Sequence, residues 1–175
     1  MPIRSTLVAL LLVLWAAIPA SAQTAPQLRL ADDLDVPGEG YCVDVLGVNR
    51  TARADLPLVA HNCLPDRGSA DRVAVYEAGR IRMPAFDACL TAFGVVRPLP
   101  GAPVILRPCG ADESFLPADA LQRFERVEGR LRLAGSDLCL AVGPDAARTF
   151  TPTHRWQTLG MERCDTVPEA FAIWR

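Results

Sequence analysis

Two stretches of the chain repeat one order of polar and apolar positions: GRIRMPAFDACLTA at 79–92 and GRLRLAGSDLCLAV at 129–142. In each, a glycine opens an alternation of Arg with Ile, Leu or Met. Successive side chains of a strand point to opposite faces, so RIRM and RLRL predict strands with Arg outward and the apolar residues inward. A turn of small and acidic residues follows, and then an apolar run that carries a cysteine.

The same reading extends along the chain. A first unit offers YCVDVL, LPLVAHNC, DRVAVYE and GRIRM, and a second offers ACLTAF, APVILRPC, LQRFERV and GRLRL. A third offers LCLAVG, WQTLGMERC and EAFAIW, one strand short. QLRL at 27–30 supplies the missing strand, its Leu28 and Leu30 matching Ile81 and Met83, and Leu131 and Leu133. Gly, Pro and Asp clusters separate the runs. No stretch after Ala22 holds a helical period; DESFLPADALQRF comes nearest, and Pro117 interrupts it. The expectation is an all-β chain, a β-trefoil of twelve strands in three pseudo-repeats. The repeats cover about 41–83, 88–133 and 138–174, with strand 27–30 completing the third.

The cysteines follow the same order. Cys42, Cys89 and Cys139 each begin a unit, and Cys63, Cys109 and Cys164 follow in turn. Three intra-repeat disulfides are expected: Cys42–Cys63, Cys89–Cys109 and Cys139–Cys164. Each closes a loop of about twenty residues, worth about 3 kcal/mol in the chain-entropy account. An even cysteine count suits an exported protein. The first residues agree: MPIR is basic, LVALLLVLWAAI is apolar, and Ala20-Ser21-Ala22 forms a small-residue cleavage pattern. Residues 1–22 read as a signal peptide and 23–175 as the mature domain, secreted or periplasmic. The apolar run is shorter than the ~20 residues of a membrane span, and no span is expected in the mature chain. The formal net charge is −2, every cation is Arg, and no basic run is present. A nucleic-acid partner is not expected.

Taken in order, C-x-D, an apolar strand ending in Cys, a polar-x-apolar element in place of Q-x-W, and G-x-I/L resemble the ricin B-chain type of lectin, a β-trefoil carbohydrate-binding family. The resemblance covers about 27–174. It implies pockets built from the Asp of C-x-D, an aromatic two residues before the second Cys, and an Asn just before the Gln of Q-x-W. C-x-D stands only at Cys42-Val43-Asp44; Thr91 and Ala141 replace the Asp elsewhere. Two residues before the second cysteines stand His61, Arg107 and Glu162, and Ala70, Leu121 and Pro168 take the Asn position. The polar-x-apolar elements are Asp71-Arg72-Val73, Gln122-Arg123-Phe124 and Glu169-Ala170-Phe171, and Val73, Phe124 and Phe171 are assigned to the core. Trp174 and Val127, three residues beyond two of these elements, are expected to pack inward as well.

Sugar hydroxyls need paired donors and acceptors, and the C–H face of the ring needs a flat π surface. Only the first unit keeps such a set: Asp44 as acceptor, His61 as platform, Asp71 as a second polar group, with Asn62 assisting. The longer third-unit loop, GPDAARTFTPTHRW, offers a secondary set in Asp145, His154 and Trp156. No serine sits in a G-x-S-x-G elbow, no ligands have metal spacing, and no phosphate-cradling glycine pattern is present. The chain is expected to be non-enzymatic, without cofactor or metal. The function that follows is exported, lectin-like binding of a glycan or glycoconjugate, with one weak site in the first repeat. The alternative is a protein-interaction module or toxin accessory subunit with a protein partner. A protease inhibitor fits less well, because that class does not repeat its disulfides threefold.

Overall fold

The glycines that open the two repeated phrases sit in two-residue hairpin turns. Strand β3 (Val75–Glu77) returns through Ala78-Gly79 to β4 (Arg80–Met83), and β7 (Phe124–Val127) returns through Glu128-Gly129 to β8 (Arg130–Leu133). Both residues of each turn have positive φ: 48° and 75° in the first, 50° and 80° in the second. This is the primed turn geometry, which follows the right-handed strand twist and favours glycine. The alternation beyond the turns is realised: Ile81, Met83, Leu131 and Leu133 are buried, and the arginines between them are half-buried on the outer face.

The computed structural model describes residues 27–64 and 70–175. The expected leader, 1–22, lies outside the described residues. Six further strands are β1 (Tyr41–Asp44), β2 (Val59–Asn62), β5 (Ala88–Ala92), β6 (Ala102–Pro108), β9 (Leu138–Arg148) and β10 (Arg155–Arg163). All ten belong to one antiparallel sheet in the order β3-β4-β5-β6-β10-β9-β8-β7, with β2 pairing β10 from the side and β1 pairing β2. The sheet curls into an open half-barrel, and no ladder joins its ends, β3 and β7.

This corrects the closed β-trefoil of twelve strands in three pseudo-repeats. Two of the expected strands are not laddered. Residues 27–30 make only single-residue bridges, Arg29 to Cys42 and Leu30 to Trp174. In EAFAIW, Glu169–Phe171 forms a 3-10 turn and Ile173 bridges Arg130. Period-two alternation reports which side chains face inward; it does not report whether the backbone between them finds a partner for its full length. Leu28, Leu30 and Trp174 are buried as alternation demands, yet their backbone hydrogen bonds, to Val43, Tyr41 and Gly129 among others, form isolated bridges and not a continuous ladder. The hairpins also differ in length. Strands β9 and β10 have 11 and 9 residues against 4 each in β1 and β2. Pro117 does not merely interrupt DESFLPADALQRF; it precedes a single helical turn, Ala118–Leu121.

The three disulfides pair as expected, Cys42–Cys63, Cys89–Cys109 and Cys139–Cys164, across sequence separations of 21, 20 and 25 residues. The core lies inside the curl. Tyr41, Val43, Leu90, Leu106, Leu140, Met161 and Trp174 form part of it, with Phe124, while Phe171 packs against it half-buried. Trp174 is 2% exposed and its Nε1 donates to the Leu140 carbonyl at 2.9 Å. Val73 is half-buried, and Val127 is exposed rather than turned inward, since it faces away at the tip of the β7–β8 hairpin.

Candidate functional site

Strand register brings two distant segments together. In β1–β2, Asp44 lies opposite Val59 and Cys42 opposite His61. On the other side of β2, Trp156 of β10 lies opposite His61, and Thr158 opposite Val59. Directly paired residues share a face, as do positions two apart. Asp44, Val59, His61 and Trp156 therefore stand on one face of this three-stranded patch. The intervening positions, Tyr41, Val43 and Ala60, fill the core behind it.

A cleft of about 440 Å³ opens on that face. Asp44, Val59, His61 and Arg72 line its floor, the 45–48 turn lines one wall, and Thr149, Phe150, Thr151, His154 and Trp156 line the other. The wall is the extended β9–β10 hairpin. Between Gln157 and Leu159 the pairing to β9 shifts register, leaving 143–145 opposite Thr158 alone. Pro144, which has no N–H for a ladder, sits in this bulge. Gly143 is required there: a Cβ on it would stand 2.0 Å from Thr158 Oγ1.

The floor is polar and poorly hydrated. The side chains of Asp44, His61 and Arg72 are 7%, 12% and 12% exposed. Asp44 Oδ1 accepts the Val45 N–H at 2.8 Å, and Oδ2 stands 3.4 Å from Arg72 Nε and 3.9 Å from His61 Nδ1. Burial pushes the Asp44 carboxyl up to about 7, against the attraction of Arg72 and the Val45 N–H and with some help from the Asp71 charge. Burial likewise holds the His61 imidazole below its ordinary value, although its bond to the Asn62 carbonyl works the other way. That carbonyl can only accept, so Nδ1 carries the proton and donates at 2.9 Å. Neutral His61 then keeps Nε2 as an acceptor. His154 stacks edge-on against it, centroids 5.2 Å apart.

The residues singled out in the sequence fall into three places. Asp44, His61, His154 and Trp156 line one cleft, although the sequence places them in two candidate sets. Asn62 and Asp71 lie behind it. Asn62 is 2% exposed, donates to Glu39 and accepts the Arg155 N–H at 2.9 Å, which fixes the hairpin to β2. Asp71 is 6% exposed and accepts the Asn49 N–H at 2.8 Å, which holds the 49–51 turn. Asp145 is exposed in the bulge, away from the cleft lining. Arg72 and Phe150 were not singled out. Arg72 is the middle residue of Asp71-Arg72-Val73, a position the motif leaves open, and no local signal marks it. Phe150, an aromatic at a loop tip flanked by threonines, was the readable one. Among the described residues no group of three or more His, Cys, Asp or Glu stands close enough to hold a metal ion.

No family model matches the chain, and no curated protein matches it. Among solved structures it is similar to the mdaA-1 domain, determined in solution, at 14% identity and a TM-score of 0.55, over 93% of this chain and 96% of that one. At that identity the likeness concerns the fold alone.

Proposed function

We propose that the chain is a carbohydrate-binding protein whose glycan site is the cleft between the β1–β2 floor and the β9–β10 wall. The observation that carries this reading is the convergence of Asp44, His61, His154 and Trp156 on one face. A pyranose presents hydroxyls at its rim and C–H groups on its faces. Asp44 and His61 Nε2 supply hydrogen-bonding groups for the rim, and Trp156 with Phe150 supplies aromatic surface for the face. The motif resemblance to ricin B-type lectins leads to the same ligand class through Asp44 and His61. Binding is favoured over hydrolysis because glycoside hydrolysis uses two carboxyl groups, and Asp44 is the one carboxyl among the described lining residues. Export through the 1–22 leader fits a chain with three disulfides.

The test is a glycan array with the oxidised protein beside Asp44→Ala and Trp156→Ala. A hydrogen bond to a charged or strongly polar group contributes about 1.5–3 kcal/mol, so Asp44→Ala is expected to weaken binding at least tenfold. Trp156→Ala is expected to weaken it several-fold. A selective signal unchanged in both variants would place the sugar elsewhere; no signal from the folded protein would end the reading.

A second reading, a protein-interaction module, is favoured by one surface. Phe93, Val95, Val96 and Leu99 of the β5–β6 loop, and Phe115 beside it, are 51–83% exposed. A partner that co-purifies with the wild type and is lost from Val96→Asp is what that reading requires.

A further inference from the structure

The Arg72 guanidinium has less bonding than its burial demands. Its side chain is 12% exposed, and Nε and Nη1 are closed off from solvent with no hydrogen-bond partner among the described residues. The Asp44 carboxylate is near, at 3.4 Å from Nε, but not aligned as a hydrogen bond. A cation held this deep without acceptors is costly. Arg72 lines the cleft, and Nη2 is the one guanidinium nitrogen not closed off without a partner. The other titratable groups lining the cleft are Asp44, His61 and His154. Asp71 lies behind and is engaged by Asn49. Among the described residues that line the cleft, no second carboxylate is present to repel an anion.

Resting on the glycan reading above, we propose that the cleft selects anionic sugars, whose ring carries a carboxylate or a sulfate ester, and that Arg72 receives the oxyanion. Guanidinium-to-oxyanion hydrogen bonds are charge-assisted and among the strong ones, and Arg cannot escape its charge by deprotonating. Asp44 and His61 remain for the ring hydroxyls. Trp156, opposite His61, remains for the C–H face.

The test uses the oxidised protein and matched sugars. Methyl glycosides of glucuronic, galacturonic and mannuronic acid are titrated beside their methyl esters and their 6-sulfated neutral counterparts, by calorimetry or ligand-observed NMR. The expected result is at least one anionic sugar bound tenfold or more tightly than its ester. The carboxylate and sulfate arms then say which oxyanion the site takes. Arg72→Gln is expected to bring that ratio close to one, and Arg72→Lys to keep a ratio above one. Esters bound as well as acids would overturn the anionic preference while leaving the glycan reading intact. No binding by any of the sugars would overturn both. A preference that survives in folded Arg72→Gln would remove Arg72 from the role. Should Arg72→Gln fail to fold, the acid-to-ester ratio of the wild type and of Arg72→Lys decides.

Discussion

Asp44→Asn separates the cost of ionising a buried carboxyl from every other effect of pH. Asn keeps the shape and can still accept the Val45 N–H that Asp44 Oδ1 accepts at 2.8 Å. It carries no charge at any pH. In the wild type, burial raises the Asp44 carboxyl from 3.8 to about 7. Each pK unit is about 1.4 kcal/mol, so ionising Asp44 in the folded state costs about 4 kcal/mol more than in the unfolded chain. The sign follows from proton counting. Between pH 4 and 7 the folded state holds a proton that the unfolded state has lost, so stability falls as pH rises through that window. Below pH 4 both states are protonated, and the two proteins should be equally stable. Above pH 7 the variant should be more stable by up to about 4 kcal/mol. His61, held low mainly by burial, adds an opposite dependence, stability lost as pH falls below its unfolded value. Burial by the surrounding residues, the main cause of that shift, is the same in both proteins, so most of this dependence drops out of the difference. Guanidinium denaturation of both proteins, disulfides intact, at pH steps from 4 to 8 reads the quantity directly. A difference that stays flat with pH, or a variant less stable than wild type at pH 8, would refute the desolvated carboxyl.

Other expectations are open to equally direct checks. Asn62→Ala removes the acceptor of the Arg155 N–H and the donor to Glu39; a loss of about 1–3 kcal/mol and faster amide exchange at Arg155 are expected. Gly143→Ala places a Cβ 2.0 Å from Thr158 Oγ1, and overpacking of this kind costs about 1–3 kcal/mol; chemical denaturation should show it, and Gly143→Ala with Thr158→Ala should recover part of it. Replacing Cys42 and Cys63 together by Ser opens a loop of 21 residues and should cost about 3 kcal/mol, read from the denaturation midpoint. Glycan binding should be hit harder by Asp44→Ala than by Asp145→Ala, because Asp145 lies in the exposed bulge and does not line the cleft.

The inner face was legible in the sequence because one-residue errors are costly there. Ile81, Met83, Leu131 and Leu133 could only face inward if their arginines faced out. Paired cysteines in a constant order sufficed for the disulfides. The sheet's closure was not legible, since bridges such as Leu30 to Trp174 and full ladders produce the same buried alternation. The exposure of Val127 escaped for a related reason: a strand's last residue before a tight turn has no opposite layer to cover it. The union of the two candidate sets depends on β2 pairing β10, residues about a hundred positions apart, and nothing local encodes that pairing. Arg72 was hidden more deeply, because its interest lies in the partners it lacks.

The bulge at Gly143 and Pro144 divides the long hairpin into two jobs. Residues 138–142 and 159–163 belong to the sheet, and their side chains are largely fixed by the core. Residues 146–156 form one wall of the cleft; 146–148 still pair with 155–157, and the hairpin is tied to β2 by Asn62 and by the pairing of Trp156 with His61. Wall and floor are thus separable parts. A combinatorial library confined to 147–154 would vary the specificity of the cleft while the floor, the disulfides and the core stayed untouched. Drift can explore the same route in nature: new ligands at the tip, with little penalty to the frame.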